Sequence, residues 1–401
     1  MIPDRIRRQP PAYSPLSLAA LGAGVAAVVS DGDARDRLRH RVRERLGSHD
    51  ACLTDSGTTA LALALLAAKR LRSVPVALPA WTCYDIATAA DGADVPVILY
   101  DLDPLTLGPN FTSLSRAFER GAKSVVVAHH YGVPVDVERA ARLAAEHRAL
   151  LIEDAAQGVG IRYGERAAGS IGSLGVLSFG RGKGRTGGGG GALVANDPIG
   201  HACIEAVEHE IQPGGAGVRE LLAATVQWML GRPELYSVPA SLPFLGLGKT
   251  VYHVPGPWLE MTDAGAAVLD RVWELAEREA EVRRRNGSRL VAPLAVGGGG
   301  RVTPVRGTPG AVPGWLRLPL ILSSGNREEA LTEEIRRLGV APGYPTPLVT
   351  LEPFRQRVAN VDDDMPGATL LAERLITLPT HSRLTAGDLA RLEAWIGSQR
   401  S

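Results

Sequence analysis

Residues 124–157 read SVVVAHHYGVPVDVERAARLAAEHRALLIEDAAQ, and they hold one repeating unit of the fold. Ser124 to Ala128 is a short apolar run that stops at His129-His130-Tyr131-Gly132. Such a run bounded by turn residues predicts a strand. Asp136 to His147 reads as a helix, with Asp136 placed to cap its first turn. A second apolar run, Leu150 to Ile152, stops at Glu153-Asp154-Ala155-Ala156-Gln157. Strand, helix and strand in that order predict a parallel pair joined by a crossover helix. Neither run alternates polar with apolar residues, so both faces of the sheet should be covered.

The pattern extends in both directions. Val74 to Leu78 predicts a strand ending in Pro79-Ala80-Trp81-Thr82-Cys83-Tyr84, and Asp85 to Ala90 a helix. Val95 to Tyr100 predicts a strand ending in Asp101-Leu102-Asp103-Pro104, and Phe118 to Gly121 closes another helix. Val176 to Phe179 and Ala192 to Ala195 are two more strands. Upstream, Leu16 to Leu46 reads as helical and is closed by Gly47. A short strand then breaks at Ser56-Gly57-Thr58-Thr59, and a helix runs from Thr58 to about Arg70. The polar motifs sit at the carboxyl ends of strands, where open parallel sheets bind ligands.

Beyond Asp197 the pattern is mixed and proline-rich to about Pro257. A long helix is predicted from Thr262 to about Arg285, apolar at Val268, Leu269, Val272, Leu275 and Ala276. Gly297 to Gly300 reads as a linker, Leu316 to Leu322 as a strand and Pro342 to Pro347 as a constrained turn. Thr385-Ala-Gly-Asp388 is a capping box opening a final helix that buries Leu389, Leu392 and Ile396. The expected class is α/β. A large domain would span 1–250, with a helical segment at about 1–46, and a smaller α+β domain would span 251–401.

A net charge of +1 gives no electrostatic footprint for nucleic acid or an anionic membrane. Cys52, Cys83 and Cys203 make neither a disulfide framework nor a zinc cluster, which fits a reducing cytoplasm. Arg5, Arg7 and Arg8 precede the apolar run Leu16 to Val29, but Pro10, Pro11, Pro15, Gly22 and Gly24 favour a packed helix over a signal peptide. No run has the length of a membrane span. Gly246-Leu-Gly-Lys-Thr250 imitates a phosphate-binding loop, yet Pro243 occupies its first glycine position.

The chemistry gathers around Lys183, in Ser178-Phe-Gly-Arg-Gly-Lys183-Gly-Arg-Thr186 followed by Gly187 to Gly191. Only four lysines (Lys69, Lys123, Lys183 and Lys249) stand among the 44 basic residues. A lysine amine can lose its proton and act as a nucleophile, whereas arginine keeps its charge. Alone, Lys183 reads equally as a surface residue in a glycine loop. Ser56-Gly57-Thr58 is either a simple helix cap or an anion site. Taken together, an anion site, the carboxylate Asp154, the Ser178 hydroxyl and an amine match the needs of pyridoxal phosphate. The amine forms an imine with its aldehyde and the carboxylate keeps its ring nitrogen protonated.

Ser56 to Leu61, Pro79 to Thr82, His129 to Gly132, Glu153 to Gln157 and Ser178-Phe179 with Lys183 resemble the DegT/StrS family of sugar aminotransferases. The resemblance runs from about 40 to 197 and returns at Tyr344 to Pro347 and Leu378 to His381. It implies the fold-type-I architecture of pyridoxal-phosphate transferases, with a large, mainly parallel sheet domain and a smaller C-terminal domain. Lys183 would be the imine-forming residue and proton carrier, and Asp154 the partner of the pyridinium. Gln157 would lie near the ring hydroxyl. Gly57, Thr58 and Ser178 would bind phosphate. Cys83 takes the position of the ring-stacking aromatic, between Trp81 and Tyr84, so either Cys83 itself packs on the cofactor ring or the stacking partner differs. His129, Tyr131, Arg181 and Arg185 become substrate candidates. The resemblance further implies a homodimer, a glutamate or glutamine donor and a keto-sugar or similar acceptor. Elimination or replacement chemistry and a non-catalytic regulatory relative are the alternatives. Three features depart from the family pattern: Cys83 itself, the absence of an acid within Gly187 to Gly191, and the lack of the partner-reaching asparagine in Val251 to Met261.

Overall fold

The structure, a computed structural model, describes residues 7–29, 32–240, 250–295 and 300–399. Its central layer contains β1 (Asp50–Thr54), β2 (Val76–Pro79), β3 (Val97–Tyr100), β4 (Ser124–Ala128), β5 (Leu150–Asp154), β8 (Leu174–Ser178) and β9 (Gly191–Ala195). The strands lie in the order β1-β9-β8-β5-β4-β2-β3. From β3 to β8 every pairing is parallel. Only β9 runs against its neighbours, because the glycine loop returns the chain directly from β8. The mainly parallel sheet expected from the continuous apolar runs is therefore present.

Both faces are covered, and alternate side chains reach opposite covers. Val126 and Ala128 join the core beneath α3 (Gly57–Arg70) and α4 (Asp85–Gly92). Val125 and Val127 join the core beneath α5 (Phe111–Glu119) and α6 (Val137–Glu146). Near β1 and β9 the second face is covered by α1 (Leu18–Val29), α2 (Ala34–Leu46) and the long helix Asp263–Ala295. α3 is anchored by Leu61, Leu63 and Leu65, each nearly or fully buried. Burial of each contributes roughly 1.5–3 kcal/mol, which fixes where the helix begins.

A second sheet pairs β10 (Val302–Pro304), β12 (Leu318–Leu322), β14 (Leu375–Leu378) and β13 (Ala341–Pro342), all antiparallel. The C-terminal helix Ala386–Ser398 packs on its core, and its capping box is formed. Thr385 Oγ1 accepts from the Asp388 N–H at 3.1 Å, while the Thr385 N–H donates to Asp388 Oδ2 at 2.9 Å. A small third sheet joins β11 (Ala311–Val312), β6 (Arg162–Tyr163) and β7 (Arg166–Ala167).

Several boundaries differ from the sequence expectation. The Leu16–Leu46 helical stretch is two helices, α1 and α2. The Leu150 strand continues to Asp154, since Glu153 and Asp154 still pair with Val127 and Ala128. The mixed region after Asp197 contains α7 (Pro198–Glu205) and α8 (Val218–Leu230). The long helix does not stop near Arg285 but reaches Ala295, because Leu290 is buried in the second core. Arg5, Gly246 to Lys249 and most of the Gly297–Gly300 linker lie outside the described residues. Among those described, no helix is long and apolar enough to cross a membrane.

Candidate active site

At the carboxyl ends of β2, β4, β5 and β8, beside the N-terminus of α3, lies a cavity. Gly57, Thr58, Cys83, His129, Asp154, Gln157, Ser178 and Lys183 all line it. The parallel sheet explains the convergence: residues that follow different strands meet at one edge.

At the α3 end the helix cap of Ser56-Gly57-Thr58 is formed. Ser56 is the cap, its Oγ accepting from the Thr59 N–H at 3.1 Å. Gly57 and Thr58 occupy the first turn, whose N–H groups have no acceptor within the helix and favour an anion. Gly57 is required sterically. A Cβ there would lie 2.6 Å from Ser178 Cβ and 2.8 Å from Ser178 Oγ.

Asp154 is half-buried at the cavity wall, and its Oδ1 accepts from the Ala156 N–H at 2.9 Å. Burial raises its carboxyl above the usual range, while the Ala156 N–H and the Lys183 charge oppose that rise. Its neighbour Glu153 is bound elsewhere: Oε1 meets His129 Nε2 at 2.8 Å, and Oε2 accepts from the N–H groups of Ile171 and Gly172 at 2.7 and 3.2 Å. Burial works against the Glu153 charge, but the His129 bond and these amides hold its carboxyl below the usual range. His129 is thus held by Glu153, and its Nδ1 has no partner among the described residues.

Gln157 is held from both ends. Its Oε1 accepts from the Tyr131 N–H at 2.9 Å, and its Nε2 donates to Tyr344 Oη at 2.6 Å. The Tyr131 side chain does not line the cavity. It is buried and stacked on Tyr344, with ring centroids 5.5 Å apart. Cys83 lies at the cavity wall, where its Sγ–H donates to Asp85 Oδ2 at 3.2 Å and burial pushes the thiol up to about 12.

The lysine loop is shaped by Gly182 and Gly184, with φ of 75° and 83°. The Gly184 N–H donates to Ser14 Oγ at 3.0 Å, so the N-terminal segment pins the loop one residue past Lys183. Neither flanking arginine lines the cavity, although both were substrate candidates. Arg181 is exposed, and the chain reversal at Gly184 sends Arg185 to the other face of the sheet, where its guanidinium lies 3.5 Å above Trp273.

Asp85 and Tyr344 line the cavity without having been singled out as site residues, and His130 lines it beside the candidate His129. His130 is packed edge-on to Trp81 and Tyr344, and burial pushes its pKa down to about 3. The constrained turn Pro342 to Pro347 was the available signal for Tyr344. Nothing in the sequence separates His130 from His129. The segment His253 to Trp258 lies beside Thr58 and Asp85, at the mouth of the α3 end.

The donor set suits pyridoxal phosphate. A helix N-terminus and a hydroxyl suit its phosphate, a half-buried carboxylate its protonated ring nitrogen and an amine its aldehyde. Gly57 leaves no side chain between the first turn of α3 and Ser178.

A family model described as the DegT/DnrJ/EryC1/StrS aminotransferase family matches residues 25–396. The L-glutamine:2-deoxy-scyllo-inosose aminotransferase of Micromonospora echinospora is 33% identical over 144 residues, covering 36% of this chain and 34% of that protein. The first curated relatives are thus matched over about a third of their own length. The pleiotropic regulatory protein of Geobacillus stearothermophilus is 24% identical over 335 residues, covering 82% of this chain and 79% of that protein. The E. coli GDP-4-keto-6-deoxy-D-mannose-3-dehydratase, solved with bound hydrated pyridoxal phosphate, shares the fold. Its TM-score is 0.76 at 16% identity, over 98% of this chain and all of that one.

Proposed function

The chain belongs to the DegT/DnrJ/EryC1/StrS aminotransferase family, and from that premise we propose that it is a pyridoxal-phosphate aminotransferase. It takes the amino group of glutamate or glutamine and delivers it to a ketone on a sugar or a similar small biosynthetic intermediate. The observation that carries this reading is the convergence of Lys183, Asp154, Ser178 and the first turn of α3 on one cavity. The L-glutamine and cyclic ketone in the name of the Micromonospora relative support the choice of substrates.

When bound, pyridoxal phosphate supplies an electron sink for the bonding pair released at the amino-acid α carbon. The protein supplies position and protons. The N–H groups of Gly57 and Thr58 and the Ser178 hydroxyl would hold the phosphate. Asp154 would pair with the ring nitrogen and keep it protonated. The low polarity that raises the Asp154 carboxyl when alone strengthens its attraction to a cation beside it. Lys183 Nζ would hold the aldehyde carbon and would carry the proton between the donor's α carbon and that same carbon, C4′ of the cofactor. Gln157, fixed by the Tyr131 N–H and Tyr344, keeps its amide against the ring. A homodimer belongs to this reading, supported by the apolar side chains Leu18, Val25, Leu222 and Val226 left exposed on α1 and α8.

The test is spectroscopic. Protein loaded with pyridoxal phosphate should show a visible band that Lys183→Ala abolishes, and added L-glutamine should generate pyridoxamine phosphate. If Lys183→Ala keeps both the band and full activity, the assignment of Lys183 is wrong. Loss of water from an acceptor without amine gain would replace transamination by elimination. No turnover across donors and acceptors would favour a regulatory relative.

A further inference from the structure

Arg185 lies outside the catalytic cavity, and its surroundings form a second one. Behind β8, a cavity of about 180 Å³ opens between the end of α2, the 158–168 segment and the long helix. Leu46, Ile161, Leu177, Phe179 and Trp273 give it an apolar wall. Its volume is several times the roughly 30 Å³ that one water occupies in the liquid.

Arg185 is only 9% exposed. Its guanidinium stacks on Trp273, its Nε has no partner, and no carboxylate of the described residues forms an ion pair with it. The other charged groups at this cavity are engaged or lie at the rim. Glu277 accepts from Trp273 Nε1–H at 3.1 Å and pairs with Arg45 at 3.6 Å. Arg284 donates to the Gly160 carbonyl at 3.3 Å. Arg162 and Glu281 are exposed. A buried cation without an anion is costly, and buried charges are ordinarily paired. Stacking on an aromatic face leaves the in-plane N–H fork of a guanidinium open to a planar anion.

We propose that this cavity is a binding site for a small carboxylic acid in its anionic form, with the Arg185 fork on the carboxylate and the carbon skeleton against Trp273 and Phe179. Arg185 is the one buried cation among the described residues that line this cavity, which favours one negative charge. A phosphate dianion would need a second cation and would meet repulsion from Glu277 and Glu281. Arg185 keeps its own charge at neutral pH, since burial pushes its pKa down only to about 9.

Crystals of the cofactor-loaded protein soaked with 4-bromobenzoate should show a bromine anomalous peak in this cavity, with the carboxylate at Arg185. Calorimetric titration with benzoate should give binding that Arg185→Met weakens at least ~10-fold, the loss of one charge-assisted hydrogen-bonded pair. Arg181→Met should leave it unchanged. If Arg185→Met does not fold, Arg185→Lys is read in its place and should weaken binding in the same direction. A bromine peak confined to the cofactor cavity, no peak, or equal benzoate affinity in the folded Arg185 variant would overturn the proposal.

Discussion

Replacing Gly57 with alanine tests whether the approach of α3 to Ser178 sets the phosphate site. The added Cβ would sit 2.6 Å from Ser178 Cβ, 2.8 Å from its Oγ and 3.2 Å from its Cα. Carbon atoms in contact prefer about 3.5–4.0 Å, so the helix end must retreat by roughly 1 Å. Retreat is resisted, since α3 buries nine residues from Thr59 to Ala68. Overpacking of this kind costs about 1–3 kcal/mol, and the same shift moves the first-turn N–H groups off the phosphate. A charge-assisted hydrogen bond contributes about 1.5–3 kcal/mol, so the dissociation constant for pyridoxal phosphate should rise between ~10-fold and ~10²-fold. Titration of the apoprotein by visible absorbance reads this directly. Ser178→Gly removes the opposing Cβ, so Gly57→Ala placed in that background should weaken binding no further. The effects would then be strongly non-additive, as expected for residues in contact. If Gly57→Ala binds within twofold of the wild type, the contact does not set the site. If the double variant shows the product of the two single losses, sterics are not the mechanism.

Two buried histidines should make the fold acid-sensitive. Burial pushes His130 down to about 3 and His381 down to about 4, against 6.5 for an exposed imidazole. Between those values the unfolded chain binds protons that the native state refuses, so stability falls as pH drops below 6.5, by about 2 kcal/mol per histidine at pH 5. Urea midpoints at pH 7 and 5 should differ accordingly, and His130→Phe should remove about half the difference; a flat profile would contradict the burial argument. Glu153→Leu should destabilise the protein by about 3–5 kcal/mol, because His129 and the Ile171 and Gly172 N–H groups lose a buried partner. Urea unfolding at pH 7 reads that loss, and a change below 1 kcal/mol would mean the pair is not buried as described.

Residues that follow a strand directly were legible because one local rule places them. Asp154 and Ser178 each terminate an apolar run, and a parallel sheet sends such termini to one edge. The lysine loop obeys no period. With positive φ at Gly182 and Gly184, Arg181 points to solvent, Lys183 into the cavity and Arg185 behind the sheet within five residues. Long-range pairings were equally hidden: Gln157 and Tyr344 meet across 187 residues. The long helix was expected to stop near Arg285, yet it runs on through Gly287, where a Cβ would lie 2.2 Å from the Trp315 ring. That glycine permits the close packing of the helix against Trp315. The missing acid among the glycines has a similar spatial explanation. A side chain at Gly188 would lie 2.0 Å from the Glu220 carbonyl, so α8 excludes one there. At the neighbouring Gly189, the space a Cβ would occupy is 3.5 Å from Glu220 Cγ. An acid absent from the loop is thus brought beside it by α8, a helix that lies within the stretch whose sequence pattern was mixed. The departure is in the linear order of residues more than in the chemistry around the loop.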